Sequence, residues 1–340
     1  MLAQADISSA NWVVFVLSIL FFLALDLGVF HRRAHVVRFH EALIWTSVWV
    51  SVTLVSAFVV APLTVDSWGR RETEEFLTGY LTELSLSMDN VFVIALIFTY
   101  FGVPLQYQHR VLFWGILGAL IMRGLMIGLG VALISRFNWM LYLLGGFLVV
   151  TGFKMAFAAE EEVDPEKNLA IRLARKLFPV SSAFDGQSFT TRLAGRLALT
   201  PLALVLLMVE TTDLIFALDS IPAIFGITQN AFIIFTSNVF AILGLRSMYF
   251  ALAGAIEYFR FLKVGLSVVL VFIGIKMLLQ PHGARAEKPL WFQMEIPTTI
   301  SLAIVAGIIV IAIMASILVA WLNRRQGPPD TPADGGPQAA

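Results

Sequence analysis

Apolar residues in this chain come in long blocks, and the charged residues gather in the stretches between them. Runs without Asp, Glu, Lys or Arg cover 42–65, 90–109, 220–245 and 296–323. About 20 mostly apolar residues suffice to cross the hydrocarbon core of a bilayer, so blocks of this length read as spanning helices and not as the core of a water-soluble domain. The pattern predicts nine transmembrane helices, at 11–30, 41–63, 76–101, 110–135, 138–158, 198–224, 231–256, 262–280 and 296–323. The expected fold class is an all-α membrane protein. It divides into two N-terminal helices (1–75), three helices (76–158), a loop (159–197), three more helices (198–280), a final helix (281–323) and a tail rich in Pro and Gly (324–340), whose composition predicts disorder.

An odd number of helices puts the two termini on opposite sides, and the basic residues decide which side is which. With the N-terminus outside, fourteen Lys and Arg fall in inner segments against five in outer ones, which satisfies the positive-inside rule and places the C-terminus in the cytoplasm. Met1 to Ala10 contain no Lys or Arg, so the first helix reads as uncleaved. In the 159–197 loop, Asp164 and Pro165 suit a helix start. Leu169, Leu173 and Leu177 follow at spacing four, with Arg172, Arg175 and Lys176 between them. That pattern fits a short helix on the inner membrane surface or, equally, a solvated linker helix.

Composition narrows the chemistry. Hydrophobic residues make up 59% of the chain and charged residues 14%, so lipid is the solvent for most of it and the bilayer its first partner. A net charge of zero gives no reason to expect nucleic acid. There is no cysteine, hence no disulfide and no thiolate metal site, and the five histidines fall in or beside predicted loops, where they are expected to be solvated or interfacial. No tightly bound cofactor is expected. Neither the His-Glu-x-x-His zinc motif nor the Gly-x-Gly-Asp motif of intramembrane aspartyl proteases occurs, so the chain is not expected to be an enzyme.

An internal repeat is visible. Gly115-Ile-Leu-Gly ending in Arg123 returns as Ala241-Ile-Leu-Gly-Leu-Arg246, and Gly152-Phe-Lys154-Met155 returns as Gly274-Ile-Lys276-Met277. The Arg and the Gly-x-Lys-Met ending recur at offsets of 123 and 122, which joins helices three to five with helices six to eight. A repeat of three helices re-enters the membrane from the opposite face, which predicts an inverted pair with cargo bound near the midplane where the halves meet.

Ionisable groups inside spanning helices each cost about 2.5–3.5 kcal/mol on insertion scales and so point to function. Six acids stand there: Asp26, Glu83, Asp89, Glu210, Asp213 and Asp219. At about 100° per residue, Glu83, Ser87 and Asn90 share one helix face and Asp89 lies about a third of a turn away. Glu210 and Asp213 are neighbours at spacing three, whereas Asp219 calls for a second contact surface or a helix break, for which Pro222 is the candidate. Carboxylate, amide and hydroxyl oxygens suit a hard or borderline divalent ion such as Mn2+, Mg2+ or Ca2+. The competing readings are a structural network, in which Arg123 and Arg246 merely pair with two of the carboxylates, and a relay for protons alone. Asp26 has two open readings, as a site member or as an interfacial residue.

At these residues the sequence resembles the TerC family of integral membrane proteins, within the broader LysE-like exporter group. The resemblance is carried by Glu83 to Asn90 followed by Val91-Phe92-Val93, by Tyr107 to Gly115, by Asp213 to Pro222, by Ser237 to Arg246 and by Pro165-Glu166-Lys167-Asn168, and it covers about 12–322. Leu84 departs from it, since many relatives have lysine there. The resemblance implies a bacterial inner-membrane protein connected with tellurium resistance and, for several relatives, Mn2+ export. It also implies ion binding by Asp89 and Asn90 in the first motif and by Glu210, Asp213 and Asp219 in the second. The expected function is thus efflux of a divalent ion, Mn2+ foremost, by alternating access at a midplane carboxylate site, in exchange for protons. The alternative is a scaffold in a tellurite-resistance or metal-insertion complex that docks membrane-protein partners through 159–197.

Overall fold

The computed structural model describes residues 8–25, 39–157, 166, 168–193, 195–253, 261–281, 291 and 293–325. The first helices are α1 (Ser9–Leu25) and α2 (Phe39–Val55), the latter continuing through a π-helical turn (Ser56–Val60) into α3 (Ala61–Thr64). Then come α4 (Arg70–Tyr100), α5 (Leu105–Arg136), α6 (Met140–Phe157) and the short α7 (Leu169–Leu177). An antiparallel hairpin, β1 (Thr190–Leu193) and β2 (Arg196–Leu199), precedes α8 (Pro201–Phe225), α9 (Ala231–Ala253), α10 (Leu262–Leu279) and α11 (Thr298–Arg325). The π-helical turn has a local cause: Pro62, one residue into α3, has no N–H to give and its ring crowds the carbonyl a turn earlier, so the helix widens just before it.

Among the described residues, seven stretches are long and apolar enough to cross a membrane: α2 through α3, α4, α5, α6, α8, α10 and Thr298–Val319 of α11. Helices α1 and α9 add shorter apolar stretches, Ser9–Phe22 and Ala231–Leu245. A helix thus lies within every span read from the sequence, although 198–199 of the sixth belong to β2. The outward rows are apolar, with Leu125, Leu129, Val150 and Ile311 all exposed, as lipid requires and water does not tolerate over so large an area. Two local features go beyond the sequence reading, and the second leaves a second contact surface as the alternative for Asp219. The 159–197 loop holds a hairpin besides α7, and α8 runs unbroken through Pro222, with Gly226 N donating to Pro222 O at 3.2 Å. Pro222 has no N–H to give to the carbonyl of Leu218, so one bond of the ladder is missing before it while the turn after it still closes.

Helices α4, α5, α8 and α9 form the centre, with α4 packed on α8 and α9 and α5 on the same two. Beside them, α6 packs on α10 more extensively than any other two elements meet. Glycines set that distance. A Cβ built on Gly152 would lie 2.7 Å from Val271 Cγ2, 2.9 Å from Ser267 O and 3.1 Å from Val271 N. One built on Gly274 would lie 2.8 Å from Val149 Cγ2, 2.7 Å from Gly145 O and 2.9 Å from Val149 N. Adding 122 to Gly152 gives Gly274, and subtracting it from Ser267 and Val271 gives Gly145 and Val149, so the two sets of contacts interconvert atom for atom.

Two apolar clusters matter for the centre. One, around Ile127, Leu148, Ile221, Leu270 and Met277, joins α5, α6, α8 and α10. The other, around Phe98, Val111, Ile171, Leu202 and Tyr249, lies at the end where α7 and the hairpin sit. Polar side chains fill the space between α4, α5, α8 and α9.

Candidate functional site

Glu83, Ser87 and Asn90 of α4 recur at spacings of four and three, which stacks them on one face of the helix, and all three are buried. Ser87 Oγ donates to Glu83 Oε1 at 3.4 Å. Opposite them, from the middle of α5, comes Arg123, only 2% exposed. Its guanidinium is a fork shared among three helices. Nη1 pairs with Glu83 Oε1 on α4 and donates to Asn238 Oδ1 on α9 at 3.0 Å, and Nη2 pairs with Asp213 Oδ1 on α8 at 3.2 Å. Asn238 is aimed by its own amide, which donates to Ile234 O at 3.1 Å, and Asn90 Nδ2 donates to Asp213 Oδ1 at 3.4 Å. Planar, delocalised and always charged, arginine suits such a buried hub better than lysine would.

The hub leaves a remainder. Among the described residues two carboxylates face one guanidinium, and with both ionised these three groups carry a net negative charge. Among the described residues, Asn90 Oδ1 and Asp213 Oδ2 are buried acceptors without a hydrogen-bond partner. Leaving such a group unsatisfied costs about 1–3 kcal/mol. Both residues border a cavity of about 20 Å³, lined also by Thr212, Leu112, Gly115 and Phe216. That is room for little more than one water-sized sphere. Carboxylate and amide oxygens face the cavity, with Thr212 beside them, from an otherwise apolar wall.

The other acids are placed differently. Glu210, one turn before Asp213 and half-buried, packs its carboxylate against Gly118 of α5, where a Cβ would overlap it. Asp219, further along α8, turns to α6, where Thr151 hydrogen-bonds it and Lys154 lies close. Asp89 and Arg246 occupy helical positions in α4 and α9, but their side chains, like all of Asp26, lie outside the described residues. Among the described residues no three His, Cys, Asp or Glu converge as a metal cluster. The oxygens at the cavity therefore come from one carboxylate with amide and hydroxyl neighbours. One histidine departs from expectation: His109 lies within α5 and is buried.

Sequence reasoning assigned no role to Asn238, although it lies in the Ser237 to Arg246 motif, because an asparagine in an apolar helix has no charge to mark it. It also passed over Glu75. That buried carboxylate, at the far end of α4, accepts from Arg71 at 2.9 Å and from Thr228 at 2.5 Å, with Lys276 of α10 nearby.

A bundle with an apolar outer surface and a buried charged centre defines a multi-pass integral membrane protein. The family model of the integral membrane protein TerC family matches residues 68–327, and the chain belongs to that family. It is 49% identical over 314 residues to an uncharacterized membrane protein of Myxococcus xanthus, STKORF319, covering 92% of this chain and 93% of that one. It is 45% identical over 319 residues to the putative membrane-bound redox modulator Alx of Escherichia coli strain K12, with 92% and 95% covered. An uncharacterized membrane protein of Rickettsia bellii is 37% identical over 317 residues, covering 93% of this chain and all of that one. No solved structure matches.

Proposed function

We propose that this chain is a carrier, not an enzyme, and that it exports a divalent cation, Mn2+ foremost, through the Asn90 and Asp213 site. The observation that carries this reading is the pair of buried oxygens, Asn90 Oδ1 and Asp213 Oδ2, without a partner among the described residues, beside a cavity where two described carboxylates face one described guanidinium. A purely structural network would pair its acceptors. Asp89, next to Asn90 in the same turn, and Glu210, one turn from Asp213, stand where further ligands would come from. The donors are hard oxygens, which suit Mn2+, Mg2+ or Ca2+ and disfavour softer metals.

The contacts of α6 with α10 support two inverted three-helix halves, since each contact recurs with the halves exchanged. Rocking of such halves opens a midplane site alternately to either face. With the N-terminus outside, α7 and the hairpin lie on the cytoplasmic face of a bacterial inner membrane. Export of a divalent ion against about 100 mV, inside negative, costs about 4.6 kcal/mol at 2.3 kcal/mol per charge, and protons entering through the same carboxylates would offset it. The relative from Escherichia coli carries the words redox modulator. With no cysteine in this chain, an effect on redox balance would run through a redox-active ion such as manganese and not through thiol exchange.

The test is Mn2+ flux into inverted vesicles holding the wild type, Asp89→Asn or Asp213→Asn, with Ca2+ and Mg2+ as competitors. Loss of flux in both variants supports the site, and competition then ranks the ions. Equal accumulation in wild type and variants overturns it and favours the scaffold reading.

A further inference from the structure

Helix α7 shows two unlike faces. Ile171 is 1% exposed and packs with Leu202, Val205 and Met208 of α8, and Ala174 beside it is buried too. Leu169, Leu173 and Leu177 on the other side are 78%, 54% and 65% exposed, and Arg172, Arg175 and Lys176 flank them, exposed as well. The anchored face is held firmly. Asn168 caps the helix, its Oδ1 accepting from Ala170 N at 3.0 Å and Ile171 N at 3.2 Å, while its Nδ2 donates to Thr211 Oγ1 of α8 at 2.8 Å. Thr211 lies ten residues into α8, about 15 Å from its start at 1.5 Å per residue, so α7 lies along the flank of the bundle and does not float beyond its end. The nearby hairpin continues the same composition: Arg192 opposes Leu197, Leu193 opposes Arg196, and all four are exposed.

Three leucines fixed outward need an apolar neighbour, and the cationic rim beside them needs an anionic one. A phospholipid monolayer with anionic headgroups supplies both in the right order, acyl chains against leucine and headgroups against Arg and Lys, which reach the interface by extending past the apolar layer. We propose that the outer face of α7 together with the tip of the β1–β2 hairpin is a docking surface for anionic phospholipids of the inner leaflet. It follows from the charge and exposure of these residues and is independent of which ion the centre carries.

Because the chain has no cysteine, a single one can be introduced without background. The full-length Leu173→Cys variant, carrying a nitroxide, is reconstituted in nanodiscs of phosphatidylcholine alone or mixed with phosphatidylglycerol. With phosphatidylglycerol present, the nitroxide is expected to respond to oxygen and to be shielded from a water-soluble nickel chelate. In the same protein bearing Arg172→Gln, Arg175→Gln and Lys176→Gln, the enrichment of phosphatidylglycerol around the protein should fall at least tenfold, since each basic side chain at an anionic surface is worth about fivefold. These three side chains are exposed, so their neutralisation leaves the packing untouched. Equal access of the chelate in both lipids overturns the proposal. Equal shielding in both lipids and in detergent overturns it too, in favour of a protein contact such as a second copy of this chain.

Discussion

Arg123 concentrates more of the buried polar interactions than any other described side chain, and the consequences of removing it differ from those of removing its partners. Arg123→Leu strands Glu83 in an apolar interior, and breaking a buried pair in this way costs about 3–5 kcal/mol. A correspondingly lowered unfolding temperature in detergent is expected. Arg123→Lys should recover part of that loss but not the forked contact with Asp213 and Asn238. Gly118 offers a finer test. Its missing Cβ is the space in which the Glu210 carboxylate sits, so Gly118→Ala must push that group aside. Mn2+ flux in Gly118→Ala is expected to fall as far as in Glu210→Gln. Flux at the wild-type level in Gly118→Ala alone would mean that the position of Glu210 does not matter.

At the scale of elements, the α6 and α10 contact is held by backbone proximity, and the α7 and α8 contact by the burial of Ile171 together with one amide. Gly152→Val and Gly274→Val each force a side chain onto a carbonyl and a backbone nitrogen of the facing helix, at matched distances. Overpacking of this kind costs about 1–3 kcal/mol, and the two variants should lose stability by similar amounts in thermal unfolding. Asn168 has two functions that can be separated. Asn168→Ala removes both the cap and the bond to Thr211, whereas Thr211→Val leaves the cap intact. Loss of an N-cap is worth about 1 kcal/mol, so protease nicking near α7 is expected to accelerate more in Asn168→Ala than in Thr211→Val.

For the whole molecule, the proposed antiport makes flux depend on the proton gradient. Dissipating that gradient with a protonophore should abolish uphill Mn2+ movement in vesicles while leaving downhill exchange measurable. Flux that ignores the gradient would remove protons as the coupling ion but leave the cation site standing, because Asn90 Oδ1 and Asp213 Oδ2 border the cavity whatever ion drives transport.

The spans were legible because a bilayer imposes one rule over long stretches: about 20 apolar residues in a row, whatever their neighbours. The helical face of Glu83, Ser87 and Asn90 was legible for the same kind of reason, a fixed angle per residue that needs no tertiary information. The repeat pairing Gly152 with Gly274 could be read from identity at a constant offset. What the chain could not disclose alone was which acid meets which partner. Six carboxylates look alike as letters, yet Asp213 meets Arg123, Glu210 lies against Gly118 and Asp219 turns to Thr151 of another helix. Those choices depend on helix rotation and on glycines that let backbones approach, both properties of elements far apart in sequence. Pro222 shows the same limit, since whether a proline breaks a helix depends on the packing around it, and Pro222 to Phe225 are all buried. Local rules therefore determined where this protein crosses the membrane, and packing between distant helices decided which of its charges meet.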